Sequence, residues 1–244
     1  MIETFNLSKR YRELEAVAGV SFKIADKQVV GLLGPNGAGK TTTMRMLTTY
    51  LPPSGGTAKV CGYDINKQAQ EVRKQIGYLP ETPPIYPELT VEEYLSFVAG
   101  IKGISGKKIK EAVDDMLTRC ALTQSAKRLC GELSKGYRQR VGLAQALIHN
   151  PKVIILDEPT SGLDPAQIIE IRQLIKSLGR DHTVILSTHI LQEVAEVCSR
   201  VLIIARGCIV VEGDFAELTK EKTLEQRFLE AVASEKYVGN VVNG

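Results

Sequence analysis

Four stretches of the chain are apolar without alternation: Val29-Val30-Gly31-Leu32-Leu33, Val153-Ile154-Ile155-Leu156, Thr183-Val184-Ile185-Leu186 and Val201-Leu202-Ile203-Ile204. A strand covered on one face alternates apolar and polar residues; a strand with no alternation is covered on both faces, which predicts a central, mostly parallel sheet. The segments between these strands carry helical signals. Asp164-Pro165 supplies an N-cap followed by proline at the first helical position, Ile168, Ile171, Leu174, Ile175 and Leu178 mark one apolar face, and Gly179 ends it. Thr90-Val91-Glu92-Glu93 is a capping box opening a helix through Phe97. Ser134 caps a further helix running to about His149, stopped by Asn150-Pro151. The fold class is α/β.

Two regions depart from this pattern. Residues 1–30 and 56–79 hold short strands separated by turn residues, so an antiparallel β part is expected beside the main sheet. Residues 88–150 lack strong strand runs and read as a helical subdomain inserted into the α/β core. Residues 1–215 form the expected principal domain. In 216–244, Leu224, Phe228, Leu229 and Val232 line a short amphipathic helix, and the last dozen residues are expected to fray.

Composition narrows the function classes. The chain has 244 residues, 43% of them apolar and 24% charged, enough for one good-sized domain with a small appendage. With 31 basic and 28 acidic side chains the formal charge is only +3, so no nucleic-acid partner is expected. Cys61, Cys120, Cys130, Cys198 and Cys208 are scattered and odd in number, which suits a reducing compartment rather than a disulfide framework or zinc site. No run approaches the roughly 20 apolar residues of a spanning helix, and Met-Ile-Glu-Thr-Phe lacks the start of a signal peptide. Any membrane role is expected to come through a partner.

The candidate chemistry begins at Gly34-Pro35-Asn36-Gly37-Ala38-Gly39-Lys40-Thr41, which matches G-x-x-x-x-G-K-[ST] between a buried strand and a helical pattern, with Thr42 following. Glycines let backbone N–H groups approach phosphate oxygens, and the helix adds its positive end. Lys40 supplies a cation for the outer phosphates and Thr41 a hydroxyl for Mg²⁺. Val153–Leu156 leads into Asp157-Glu158, two carboxylates at the end of a buried strand, where α/β sheets bind ligands. Asp157 is the candidate to hold Mg²⁺, directly or through water, and Glu158 to position or deprotonate the attacking water.

The stretch Leu133-Ser134-Lys135-Gly136-Tyr137-Arg138-Gln139-Arg140, shortly before the Asp-Glu strand, makes the chain resemble the nucleotide-binding domains of ABC transporters. Their signature is Leu-Ser-Gly-Gly-Gln; here Lys135 replaces the first glycine and Tyr137 the glutamine, while the serine and second glycine stand at Ser134 and Gly136. The resemblance spans roughly residues 2–215 and implies a P-loop NTPase core. It places Tyr11 against adenine, where stacking contributes roughly 1–3 kcal/mol in other systems. It assigns Ser161-Gly162-Leu163-Asp164 to a loop crossing a dimer interface, and His189, after the strand Thr183–Ser187, to the γ-phosphate. His149 and His182 match nothing and read as surface or capping residues. Where the family has glutamine after Ile76-Gly77-Tyr78-Leu79, this chain has Glu81, expected still to reach the metal. Leu79-Pro80-Glu81 and Pro87-Glu88-Leu89-Thr90-Val91 are similar to the export-type branch paired with ABC-2-type permeases.

The resemblance implies an ATPase using ATP and Mg²⁺, working as a dimer on the cytoplasmic face of a membrane beneath a separate transmembrane permease. The full motif set in one chain favours a homodimer over pairing with a paralogue. The chief alternative is a soluble ABC ATPase acting on nucleic acid or the ribosome; the chain lacks the long heptad insertion of the first kind and the paired domains of the second. No Asn-Lys-x-Asp motif supports a GTPase, and intact Lys40, Asp157, Glu158 and His189 argue against a non-catalytic module.

Overall fold

The structure is a computed structural model and describes residues 1–233. Strands β1 (Ile2–Tyr11), β2 (Leu14–Val20) and β3 (Lys23–Ile24) come first, then β4 (Val29–Leu33) and helix α1 (Lys40–Leu47). Next are β5 (Gly55–Val60), β6 (Tyr63–Asp64), α2 (Ala69–Gln75) and β7 (Ile76–Leu79). Helices α3 (Val91–Ile101), α4 (Lys107–Arg119) and α5 (Lys135–Leu147) follow without an intervening strand. The chain then runs β8 (Val153–Asp157), α6 (Pro165–Leu178), β9 (Thr183–Thr188), α7 (Leu191–Val197) and β10 (Arg200–Ala205). It continues through β11 (Cys208–Asp214), α8 (Phe215–Leu218) and α9 (Leu224–Ala233).

The main sheet has the order β11-β10-β4-β9-β8-β7. Every pairing in it is parallel except β10 with β11. Its uninterrupted apolar runs divide by period two between two cores. Leu33, Ile154, Leu156, Val184, Leu186, Val201 and Ile203 face α3 to α7 and α9. Val30, Leu32, Val153, Ile155, Ile185, Leu202 and Ile204 face the other way, against α1 and a second, antiparallel sheet in which β1 pairs with β2, β3 and β5. Burial on both faces is why the runs carry no polar alternation.

The structure departs from the sequence pattern at its margins. Within 56–79 only β5 and β6 are antiparallel; Ala69–Gln75 is helical and Ile76–Leu79 joins the parallel sheet beside β8. A four-residue run is too short for periodicity to separate the two sheet types. The Thr90 capping box is present, Thr90 Oγ1 accepting from Glu93 N (3.3 Å) and Glu93 Oε2 from Thr90 N (2.9 Å), but α3 extends past Phe97 to Ile101. Helix α5 ends at Leu147, with Asn150 in the left-handed region (φ 51°) before Pro151. His182 is buried, not on the surface: it lies 6% exposed with Nδ1 2.7 Å from the Pro151 carbonyl. In α9, Leu224 is buried and Phe228 packs on the core, whereas Leu229 is 59% exposed. The fraying expected of the last dozen residues falls, from residue 234 on, outside the described residues.

Candidate nucleotide site

In a parallel sheet all strands end on the same side, and that side collects the candidate residues. The neighbouring strands β4, β9, β8 and β7 lead respectively into the Gly34–Thr41 loop, His189, Asp157-Glu158 and Glu81. A cavity of about 450 Å³ opens there, lined by Tyr11, Asn36, Gly37, Gly39, Lys40, Thr41, Thr42, Glu81, Glu158 and His189, together with Leu14, Ala16 and Ser161.

The loop before α1 is held by two close approaches. A Cβ at Gly34 would lie 2.4 Å from the Ile204 carbonyl oxygen, and one at Gly39 (φ 105°) 2.5 Å from the Ala16 carbonyl oxygen. Ala38 is buried behind the loop. Lys40 Nζ donates to the carbonyls of Gly34 (2.8 Å) and Pro35 (3.2 Å) and lies 3.4 Å from Glu158 Oε1. Helix α1 starts with no side-chain cap and no acid in its first turn. Its first N–H groups and its positive end therefore suit an anion.

Asp157 is buried, and its Oδ1 accepts from Thr41 Oγ1 (3.1 Å) and Ser187 Oγ (2.5 Å). Ser187 stands opposite Asp157 in the β8–β9 register and also receives the Glu158 N–H at its Oγ (3.1 Å). Glu158 adopts φ 48°, so its carboxylate turns away from the strand; Oε2 lies 3.0 Å from His189 Nδ1. Lys40, Glu158 and His189 thus form one continuous polar chain. Burial, reinforced by the Asp157 charge, pushes the nearby Tyr78 phenol up to about 12 and keeps it protonated.

The donor set suits a hard divalent cation. Thr41, Asp157 and Glu81 offer only oxygens, as Mg²⁺ prefers. Among the described residues no group of three or more His, Cys, Asp or Glu side chains could hold a metal alone. A site with few carboxylates beside an anion cradle fits an ion that enters with phosphate oxygens.

Ser134, Gly136 and Asp164 do not line this cavity. They form a second cluster, where α5 and α6 begin side by side. Ser134 caps α5 by accepting from Tyr137 N (3.5 Å), and Asp164 caps α6 by accepting from Gln167 N (3.0 Å). A Cβ at buried Gly136 would meet Gln167 Oε1 at 2.3 Å, and one at Gly162 would meet Lys135 Nζ at 2.2 Å. Tyr11 reaches the cavity 43% exposed, with Lys9 Nζ 5.5 Å from its ring centroid.

Ser187 was missed in the sequence, although a polar Ser-Thr pair closing an apolar strand is a readable signal. Leu14 and Ala16 gave none, because they reach the cavity where β2 packs against the Gly39 turn, a contact distant in sequence.

The comparisons with known proteins agree with this geometry. Residues 17–161 match the family model described as ABC transporter. The chain is 41% identical over 222 residues to the uncharacterized ABC transporter ATP-binding protein YxlF of Bacillus subtilis (strain 168), covering 91% of this chain and 74% of YxlF. It is 38% identical over 238 residues to the bacitracin transport ATP-binding protein BcrA of Bacillus licheniformis, covering 97% and 76%. It is 38% identical over 213 residues to the Nod factor export ATP-binding protein I of Paraburkholderia xenovorans (strain LB400), covering 87% and 70%. Among solved structures, an ATP-binding subunit of an ABC transporter superposes with TM-score 0.85 at 28% identity, covering 95% of this chain and 99% of that one. The ATP-binding cassette MJ0796, in a dimeric post-hydrolysis state bound to ADP and Pi, superposes with TM-score 0.81 at 26% identity, covering 88% and 98%. This chain belongs to the ABC transporter family, as an ATP-binding subunit that hydrolyses ATP.

Proposed function

We propose that two copies of this chain share ATP between them and use its hydrolysis to drive export of a substrate through a separate transmembrane permease. The observation that carries this reading is the division of the functional residues within one chain. Lys40, Glu158 and His189 line one cavity, while Ser134 and Gly136 begin a helix outside it. A helix N-terminus attracts the γ-phosphate, so the signature cluster of one copy completes the cavity of the other. ADP lacks the bridging group, and hydrolysis loosens the pair.

Within the cavity, Lys40 and the N–H groups of the Gly34–Thr41 loop bind the phosphates, and Tyr11 stacks on adenine. Thr41, Asp157 and Glu81 would hold Mg²⁺, which would supply neutralisation of charge on the phosphate oxygens. Glu158 orients and accepts a proton from the attacking water, and His189 steadies both Glu158 and the γ-phosphate. Among the described residues no helix is long and apolar enough to cross a membrane. Membrane attachment on the cytoplasmic face is assigned to the permease. The exposed ring of Tyr86 packs 5.6 Å from that of Phe97 on α3, and the pair offers that partner an apolar face. Export is supported by the Leu79-Pro80-Glu81 segment and by relatives named for Nod factor export.

The test is the solution size of Glu158→Gln with ATP, with ADP and without nucleotide. A monomer that becomes a dimer with ATP alone, while turnover is nearly abolished, is expected. Wild-type turnover in this variant would remove Glu158 from its role, and a monomer throughout, even with co-purified permease, would remove the shared site.

A further inference from the structure

Glu193 lies on α7, outside the cavity, and its carboxylate is 2% exposed. A buried carboxylate is costly unless its oxygens are satisfied, and here they are satisfied by the two loops that carry catalytic groups. Oε1 accepts from Thr160 Oγ1 and Oε2 from Thr188 Oγ1 (2.6 Å); both threonines are buried. Arg172 Nη2 stands 3.8 Å from Oε1, and Arg172 Nη1 donates to Glu196 Oε2 (2.9 Å).

Each threonine organises the loop it sits in. Thr188 Oγ1 also accepts from Ile190 N (3.0 Å), and Glu193 N donates to the Ile190 carbonyl (3.2 Å), so the backbone on both sides of His189 is tied to Glu193. Thr160 stands between Glu158 and the Ser161-Gly162 turn, with Ser161 N donating to the Glu158 carbonyl (3.1 Å) and Leu163 N to the Thr160 carbonyl (3.2 Å). Beyond that turn lies Asp164, the cap of α6, which also carries Arg172. One buried side chain therefore spans the 158–164 loop, the His189 turn and α6.

We infer that Glu193 is a positioning residue, a clasp that fixes the 158–164 loop and the His189 turn relative to each other so that Glu158 and His189 meet the same phosphate. The inference rests on the proposed roles of Glu158 and His189. Glu193 does not line the cavity, so its loss acts on turnover and spares nucleotide capture by Lys40 and the glycine loop.

The experiment compares Thr160→Val, Thr188→Val and their combination, together with Glu193→Gln, Glu193→Ala and His189→Ala. For each, kcat and KM for ATP, binding of a fluorescent ATP analogue and Tm are measured, with kinetics run well below the lowest Tm. The valines keep size and shape and exchange the hydroxyl for a methyl; each leaves one Glu193 oxygen without its donor, so Tm should fall, and kcat is compared among variants still folded at the assay temperature. The expected result is a kcat loss of roughly tenfold or more in each threonine variant, with KM and analogue binding unchanged. The double variant should lose no more than the worse single one, because either change opens the same clasp. Glu193→Gln, keeping one acceptor oxygen, should fall between the parent and Glu193→Ala. Parental kcat in Thr160→Val or Thr188→Val, or losses that multiply in the double variant, would overturn the clasp. Those outcomes beside an inactive His189→Ala leave the site reading standing; parental kcat in His189→Ala overturns that reading and the clasp with it.

Discussion

Glu158 sits at φ 48°, a left-handed conformation that costs an ordinary side chain about 1–2 kcal/mol. The cost is offset locally: Ser187 receives the Glu158 N–H at both Oγ and carbonyl, and Lys40 and His189 hold the carboxylate. A residue locked off the strand in this way can face the cavity while Asp157, one position earlier, stays buried. Glu81 illustrates the opposite condition, an exposed carboxylate at the cavity rim. Glu81→Ala should raise the Mg²⁺ concentration needed for half-maximal turnover several-fold, and Glu81→Gln less, since the amide retains a neutral oxygen ligand. Equal Mg²⁺ dependence in parent and both variants would show that Glu81 is not a ligand. His149 yields a prediction away from the site. Its Nε2 faces the Ile76 carbonyl at 3.2 Å and its buried Nδ1 has no hydrogen-bond partner, so the neutral ring fits and a proton on Nδ1 would be stranded. Burial, with Lys102 adding to it, lowers its pKa to about 4. The unfolded chain, titrating near 6.5, binds the proton first, so stability is full above that pH and falls as pH drops towards the folded value. The loss at pH 5, discounted for partial exposure, is about 1–2 kcal/mol. Chemical denaturation at pH 7 and pH 5 should show this difference shrinking in His149→Gln; an unchanged difference would assign the acid sensitivity elsewhere.

At the scale of elements, what was legible in the sequence is what local physics determines. The central strands announced themselves because burial on two faces leaves an apolar run, and α6 because Asp164, Pro165 and Gly179 each act within one turn of it. Strand β7 was misplaced because four residues carry too little pattern and its parallel partner, β8, lies more than seventy residues away. His182 read as a surface or capping residue because nothing local reports that the Pro151 carbonyl comes to meet it. The phosphate loop and signature were visible as motifs, whereas the Glu193 clasp joins loops distant in sequence and has no motif. The contact between β7 and α5 shows how such non-local packing serves the site. Gly77 lies so near α5 that a Cβ there would stand 2.1 Å from the Ala146 carbonyl oxygen, and Gln145 Nε2 donates to the Tyr78 carbonyl at 2.8 Å. These contacts join the strand leading to Glu81 to the helix opened by Ser134. Gly77→Ala must separate them, at about 1–3 kcal/mol, and Tm should fall accordingly with reduced kcat. An unchanged Tm would mean that the two backbones are not held this closely.

At the scale of the whole molecule, the signature cluster lies outside the cavity that the phosphate cradle lines, and on the proposed reading a second copy completes each. The cradle and its carboxylates are built on the ends of β4, β9 and β8, interior strands of the sheet and hydrogen-bonded on both sides. The signature cluster is built on the starts of α5 and α6, which Arg140 and Glu170 join by an ion pair. On the proposed reading, a lone chain binds nucleotide through the first and offers the second only to another copy. This division makes a mixing experiment decisive. Lys40→Ala destroys the cradle and leaves the signature; Ser134→Arg blocks the signature and leaves the cradle. Each variant alone should be nearly inactive, because neither homodimer contains a complete site. In an equal mixture, a dimer with one chain of each kind pairs the intact cradle of the Ser134→Arg chain with the intact signature of the Lys40→Ala chain. With random pairing and independent sites, turnover should return to at most about a quarter of the parental value. A site contained within one chain would give no recovery on mixing, since each chain would carry its own defect into any pair.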